Sequence, residues 1–311
     1  MLEISAVKTQ EKLTEAIIST LAFFSLYELP LSARRAHELL LGVRASAPEV
    51  EQTLNFLAEN HKIIRSGNLY STKPWNTATY STNQQELIRK WTRIDRYFNW
   101  LAILPFVRNI SVINSLAMGT ADSDSDIDFF VITKPHRLYL VRSVIIVLFR
   151  LLGIYKTRQK IKDRFCFGFY VDTNHLKFEQ LMLKPSDPYF MFWQASMRPV
   201  LGGQAYWRLI QHNQWLMQVF PNFEPINRHA TNRRSNFLIS SVKFLLETLL
   251  WVPGLILEPI LRRIHINHTF KLAENRAVTS STIANAGMLK LHGYDVRAEI
   301  AQRYNEILIS L

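Results

Sequence analysis

The chain has 311 residues, 48% of them hydrophobic, which supplies a core for two or three structural units and excludes disorder as a description of the whole. A single cysteine, Cys166, excludes an intrachain disulfide framework, and Met1 to Glu11 lacks the basic start and apolar run of a secretory leader, so a reducing, cytoplasmic compartment is expected. The net charge of +12 is unevenly placed: 8 Lys and Arg meet 8 Asp and Glu over residues 1–80, 16 meet 9 over 81–185, and 13 meet 8 over 186–311, so any attraction for polyanions belongs to the last two stretches.

In chain order, the first stretch predicts a helix from Glu11 to Leu26, a break at Pro30, a short helix from Ala33 to Leu41 capped by Ser32, a turn at Gly42, and a helix from Ala47 to Asn60. Val50, Leu54 and Leu57 recur there at helical spacing. Ile63-Ile64 and Leu69-Tyr70 flank Ser66-Gly67-Asn68 as a small hairpin. Three helices and a hairpin resemble a winged helix-turn-helix, giving a first domain over 1–80. Its third helix carries no Lys or Arg but has Glu49, Glu51 and Glu59, which repel phosphate. A structural or protein-docking role is therefore expected ahead of DNA binding.

The second stretch, 81–185, begins with an amphipathic helix from Gln84 to Leu104, with Leu87, Trp91, Ile94, Phe98 and Leu101 on one face. A strand from Ile110 to Ile113, a turn of small residues, a strand from Ile127 to Thr133, a helix from Arg137 to Leu152 and a strand from Phe165 to Val171 follow. Together they predict an α/β (α+β) core. Residues 186–311 predict a mostly helical carboxy-terminal domain. Two stretches, Leu138 to Tyr155 and Phe237 to Ile264, are apolar enough to suggest a membrane. Arg142 and Arg150 interrupt the first, and Lys243, Glu247, Pro253 and Glu258 the second, so no transmembrane segment is expected. Both are expected as buried helices, with membrane-surface contact as the alternative for the second.

The chemistry concentrates between Ser111 and Thr133. Asp126 and Asp128 are separated by one residue at the start of a predicted strand, so their side chains project to the same face. Two adjacent carboxylates repel one another unless a divalent cation makes both ionised forms favourable, and hard oxygen ligands suit Mg²⁺ or Mn²⁺, which also bridge nucleotide phosphates. Ser115 precedes Asp126 by ten intervening residues, at a strand-to-helix turn whose hydroxyl and backbone N–H groups suit terminal phosphates. Ala117 and Gly119 keep that turn compact, and Asp122 and Asp124 read as a solvated approach to the site.

This segment resembles the polymerase-beta-like nucleotidyltransferase superfamily, whose signature is a Gly-Ser pair, about ten residues, and Asp-x-Asp within an apolar strand. Ser115 matches the serine and Asp126 and Asp128 match the paired metal ligands, while Asn114 stands in the glycine position. The resemblance implies an NTP substrate, transfer of a nucleoside monophosphate to an acceptor hydroxyl on a protein, an RNA or a small molecule, and loss of pyrophosphate. It also implies a third carboxylate on a later strand, which completes the metal site and takes the acceptor's proton. Asp172 is the candidate, with a structural turn residue as the equal alternative and Glu179 as a weaker substitute. Pro135 to Arg142, Asp187 to Phe190, Asn213 to Trp215, Phe220 to Asn222, and Leu289 to His292 with Asp295 and Arg297 make the chain similar to bacterial nucleotidyltransferase-domain proteins, without adding chemistry. A non-catalytic module that senses nucleotide, or docks DNA or protein, is the competing expectation.

The run from Lys156 to Arg164 holds five basic residues in nine positions and reads either as a solvated loop or as a neighbour of triphosphate. Lys134, Arg137 and Arg142 are further candidate phosphate neighbours. His175, His265, His268 and His292 lack partners at metal-site spacing, Cys166 reads as an inert thiol in an apolar strand, and Tyr189 to Trp193 reads as packing.

Overall fold

The computed structural model describes residues 2–226, 236–274, 282–291 and 295–311. The chain opens with α1 (Leu2–Ser25), β1 (Leu31–Ser32), α2 (Ala33–Glu38), α3 (Ala47–Glu59), β2 (Ile64–Ser66) and β3 (Leu69–Ser71). Ser32 caps α2 through the Arg35 N–H. At α3 a capping box forms, with the Ser46 N–H donating to Glu49 Oε2 at 2.7 Å and the Glu49 N–H returning to Ser46 Oγ at 3.4 Å. The predicted hairpin is β2–β3, and β1 joins it as a third antiparallel strand in the order β1-β3-β2. A two-residue strand carries no alternation of its own, and sequence reading missed it.

The middle of the chain forms α4 (Thr77–Arg96), α5 (Phe98–Ala102), β4 (Val107–Val112), α6 (Asn114–Met118), β5 (Ile127–Thr133), α7 (Leu138–Leu151) and β6 (Phe165–Asp172). After a 3₁₀ turn at Glu179–Leu181 come α8 (Pro188–Ser196), β7 (Arg198–Leu201), α9 (Gly203–His212), α10 (Trp215–Val219), α11 (Phe237–Leu249), α12 (Pro253–Glu274), β8 (Ile283–Ala284), β9 (Met288–Lys290) and α13 (Arg297–Ser310). The main sheet has six strands in the order β7-β4-β5-β6-β9-β8. β5 and β6 run parallel, and the other neighbours are antiparallel. The carboxy-terminal stretch is thus not purely helical, since it supplies β7, β8 and β9 to the sheet begun by the middle of the chain.

Alternation along β5 divides the core. Ile127, Phe129 and Val131 pack with α4, α5 and α7 on one face. Phe130 and Ile132 face the opposite way, into an apolar cluster that runs through Phe192 and Trp193 of α8 to Ile17 and Phe24 of α1 and Tyr304 of α13. Phe23 stacks on Phe192 with ring centroids 4.1 Å apart. The three amino-terminal helices therefore share their core with one face of the sheet.

Gly202, between β7 and α9, has φ +75, and a Cβ there would lie 1.8 Å from the Arg108 carbonyl oxygen. Both the left-handed backbone and the contact with β4 require glycine. Gly202→Ala is expected to cost about 3 kcal/mol or more, read as a fall in thermal midpoint. An unchanged midpoint would mean that β7 does not approach β4 this closely.

One expectation fails on packing. The stretch Phe237 to Ile264 is not buried: no residue of α11 is buried, and Phe237 and Phe244 are 85% and 73% exposed. By contrast α7, the other apolar stretch, is a core helix. No single helix among the described residues is long and apolar enough to cross a membrane.

Candidate functional site

The site is built at the entry of β5. Asp126 immediately precedes the strand and Asp128 is its second residue, so the two carboxylates lie on the same face. That face is the one turned toward α6 and α8. β6 runs parallel to β5 with Cys166 paired to Asp128, which places a thiol at the same end of the sheet. Ligand atoms of Asp126, Asp128 and Cys166 all lie within 4.8 Å of one another, a group able to hold a metal ion.

β4 positions the opposite wall. The Ile113 N–H donates to the Asp128 carbonyl at 3.0 Å, so the next residue, Asn114, begins α6 directly beside the carboxylates. Asn114 has φ 56, the left-handed conformation that glycine adopts freely and that asparagine tolerates better than most residues. Asparagine therefore fits this left-handed turn. Its Oδ1 accepts from Trp193 Nε1 at 2.8 Å, which leaves the amide nitrogen for Asp128. Trp193, read from sequence as packing, therefore also orients a site residue. Ser115 follows with its side chain partly exposed, and its carbonyl accepts from Gly119 and Thr120 at 2.9 and 2.8 Å. Gly119, at φ 88, closes α6 in the left-handed cap geometry.

Electrostatics set the carboxylates apart. Burial, reinforced by the charge of Asp126, pushes the Asp128 carboxyl up to about 6 against the opposing pull of Asn114, Lys156 and Cys166. Burial, with Asp128 beside it, holds the Cys166 thiol well above its usual range, so the sulfur stays protonated. Lys156 comes from the head of the basic run, where its N–H donates to the Phe165 carbonyl at 3.0 Å and its Nζ lies 2.6 Å from Asp126 Oδ2. Burial alone would lower the Lys156 ammonium, but the contact with Asp126 and the charge of Asp128 outweigh it and hold the group charged. Asp126 Oδ2 is buried without an aligned hydrogen-bond donor despite that ion pair.

The loop before Asp126 is organised from behind. Asp122 Oδ1 accepts from the Asp124 and Ser125 N–H groups and from Ser125 Oγ at 3.1, 2.8 and 2.6 Å, so this carboxylate shapes a turn. Asp124 is exposed, 3.8 Å from Lys162. Neither joins the Asp126–Asp128 pair. Lys90 of α4 is fully buried and donates to the Ser125 carbonyl at 2.7 Å and to Asp163 Oδ1 at 2.8 Å, and Arg89 holds the same aspartate. Sequence reading missed this clamp, because Lys90 sits among exposed basic residues of an amphipathic helix.

Asp172 is a correction. In the parallel register Asp128 pairs with Cys166 and Asp172 with Thr133, so Asp172 lies at the far end of β5, roughly 17 Å along the strand. It accepts from the Asn174 N–H at 2.9 Å and from His175 Nδ1 at 2.6 Å, the role of a turn residue. Neither a metal-ligating nor a catalytic role fits that place. Glu179 is exposed on the 3₁₀ turn. Lys134 and Arg137 also sit at that far end, Lys134 Nζ 3.8 Å over the Trp251 ring and Arg137 donating to the Trp251 carbonyl at 3.0 Å. Arg142 is buried on α7, on the face of the sheet away from the carboxylates. None of the three stands beside the Asp126–Asp128 pair.

His175 belongs to Asp172, and His265 Nε2 pairs with Ser143 Oγ at 2.8 Å. His292 lies outside the described residues. Three polar residues singled out in the carboxy-terminal stretch serve as scaffold: Asp187 caps α8, Asn213 donates to the Leu176 and Leu209 carbonyls, and Arg297 joins Asp187 and Asp295. A cavity of about 1010 Å³ opens between α2 and α6, lined by Arg34, Arg35 and Arg198 among others, and includes neither Asp126 nor Asp128. Comparison of the chain with protein-family models, with curated proteins and with solved structures finds no match.

Proposed function

We propose that this protein binds a nucleoside triphosphate with Mg²⁺ (or Mn²⁺) at Asp126 and Asp128 and transfers the nucleoside monophosphate to an acceptor hydroxyl. The observation that carries this reading is the pair of carboxylates on one face of β5, with the Asn114–Ser115 turn beside them. The donor set fits the ion: Mg²⁺ is commonly held by one or two carboxylates plus phosphate oxygens and water, and Asp126 and Asp128 bring two carboxylates within 4.8 Å of each other. Cys166 falls outside that set, being soft and protonated. When bound, the ion neutralises charge on the phosphates and on the departing pyrophosphate.

Every other contribution comes from the chain. Asp126 and Asp128 hold the ion, the Asn114–Ser115 turn receives the terminal phosphates, and Lys156 supplies positive charge at the same carboxylates. The acceptor oxygen bonds to the α-phosphorus as the bond from that phosphorus to the α,β-bridging oxygen breaks; pyrophosphate leaves with the electron pair, and the hydroxyl proton passes to solvent water. Rate enhancement on this scheme comes from positioning and from charge compensation. Titration calorimetry with ATP, GTP, CTP and UTP, with Mg²⁺ and with chelator, tests binding. Pyrophosphate release in the presence of cell extract, with the labelled acceptor identified, tests transfer. Failure of all four nucleotides to bind with Mg²⁺ would remove the proposal.

A second reading has its own observation. Cys166 stands beside Asp128 where a third carboxylate would complete the site, and no further carboxylate among the described residues joins the group. A protein that senses nucleotide without transferring it would bind the Mg²⁺ complex and release no pyrophosphate. On either reading the protonated sulfur is not a ligand, so Cys166→Ser is expected to keep Mg²⁺-nucleotide affinity within about threefold, under ~1 kcal/mol. A hundredfold loss in calorimetry would make the sulfur a ligand and exclude Mg²⁺. Cys166→Asp separates the readings: gain of pyrophosphate release only in this variant identifies a sensor.

A further inference from the structure

α11 and the first half of α12 are amphipathic in the reverse sense. Between Phe237 and Leu261 the sequence has only three charged residues, Lys243, Glu247 and Glu258. All three point into the protein. Lys243 Nζ donates to the Val107 carbonyl at 2.9 Å, Glu247 accepts from the Phe106 N–H at 2.8 Å and pairs with Arg108, and Glu258 accepts from the Tyr139 and Leu140 N–H groups at 3.0 and 2.8 Å. The outward positions are apolar instead, with Phe244, Leu249, Val252, Leu255, Ile256 and Ile260 each more than half exposed. A water-facing helix carries the opposite pattern, and an apolar surface of this extent marks a contact with a non-aqueous partner.

Three features favour lipid as that partner. First, an open groove of about 400 Å³ between α5, α7 and α11, lined by Leu104, Pro105, Val147, Leu148, Leu151 and Leu246 among others, continues the apolar surface and is almost wholly non-polar. Its shape and chemistry suit an acyl chain. Second, from α7, α11 and α12 as far as Lys271 no carboxylate faces outward, whereas Arg150, Arg263 and Lys271 do, which complements anionic headgroups. Third, α11 and α12 bend by 69° at Trp251, and only together do they reach the hydropathy of a span. Thirteen residues of helix extend about 20 Å, short of a ~30 Å hydrocarbon core, so the bent pair suits insertion into one leaflet.

We infer that the α11–α12 pair, with the groove beside it, docks this protein on the surface of an anionic lipid bilayer. The inference is independent of the nucleotide chemistry. α11 lies at the end of the sheet where β4 starts and β5 ends, and Asp126 and Asp128 lie at the other end, so a docked molecule keeps the carboxylate pair in water.

The test is flotation of the full chain with phosphatidylcholine vesicles and with vesicles containing phosphatidylglycerol, alongside light scattering for oligomeric state. The expected result is a monomer that floats with the anionic vesicles, with Phe244→Glu/Ile256→Glu partitioning at least tenfold less at an unchanged circular dichroism spectrum. Hydrogen exchange on the unaltered chain gives a second reading that needs no variant: anionic vesicles slow exchange over 237–264 and leave 47–59 unchanged. The inference is overturned if the chain stays unbound with anionic vesicles. It is equally overturned if the surface is covered by a second copy in a dimer that ignores vesicles, or if exchange over 237–264 does not change.

Discussion

Asp128→Asn is expected to lower Mg²⁺-dependent nucleotide binding or turnover by more than about 100-fold and, in the same protein, to raise the thermal midpoint measured in chelator. The first effect follows from removing one of two anionic oxygens that hold the ion, a loss comparable with deleting a key electrostatic contact. Asp126→Asn is expected to show the first effect as well. The second follows from Asp128 being a charge under cover beside another charge, with its carboxyl pushed up to about 6. An amide of the same shape carries neither the desolvation cost nor the repulsion from Asp126, for a gain of about 1 kcal/mol or more.

The pH dependence carries the sign. A carboxyl held above its ordinary value in the folded state binds its proton more tightly there than in the unfolded chain. Metal-free protein therefore loses stability from this group as the pH rises from about 4 through about 6 and regains it on acidification. Thermal scans in chelator between those limits are expected to show this slope in the unaltered chain and to lose it in Asp128→Asn. Parallel slopes in both proteins would show that the carboxylates are not crowded together.

Lys90→Met is expected to be the most destabilising side-chain change among the charged residues, at about 3 kcal/mol, because it breaks a buried ion pair from one side. Lys90 is fully buried, and its loss strips the Ser125 carbonyl of its donor and leaves Asp163 with Arg89 alone. A fall in thermal midpoint on the order of 5–10 °C is the readout, together with weaker Mg²⁺-nucleotide binding, since Ser125 is the residue before Asp126. Lys162→Ala, which removes an exposed partner 3.8 Å from Asp124, is the contrast and is expected to stay within about 0.5 kcal/mol. Equal effects from the two lysines would contradict the clamp.

The parts of this protein legible in advance are those where the signal is local. The cap at Ser32, the helix carrying Val50, Leu54 and Leu57, and the hairpin around Gly67 all rest on residues a few positions apart, and each forms as expected. The strand after Asp126 was readable for the same reason, and alternation alone put Asp126 and Asp128 on one face. What failed depended on direction and depth. Asp172 ends a strand that was correctly anticipated, but a parallel neighbour carries its last residue to the far end of the sheet and brings Cys166, its second residue, to the carboxylates. Burial of Lys90 and exposure of Phe244 both contradict residue type, and both are fixed by what packs against each helix.

The sequence by itself determined the helices and strands with strong periodicity, the acidic pair on one strand face, and the serine-bearing turn ahead of it, because bond geometry and side-chain spacing act within a few residues. The tertiary structure decided which strands run parallel, that β7, β8 and β9 complete the sheet from the carboxy-terminal stretch, that Lys156 rather than Asp172 reaches Asp126, and that the charges of α11 turn inward. Those outcomes depend on contacts between residues tens to hundreds of positions apart. No local pattern encodes them, since the same side chain is neutralised, buried or exposed according to the partner that the fold places against it.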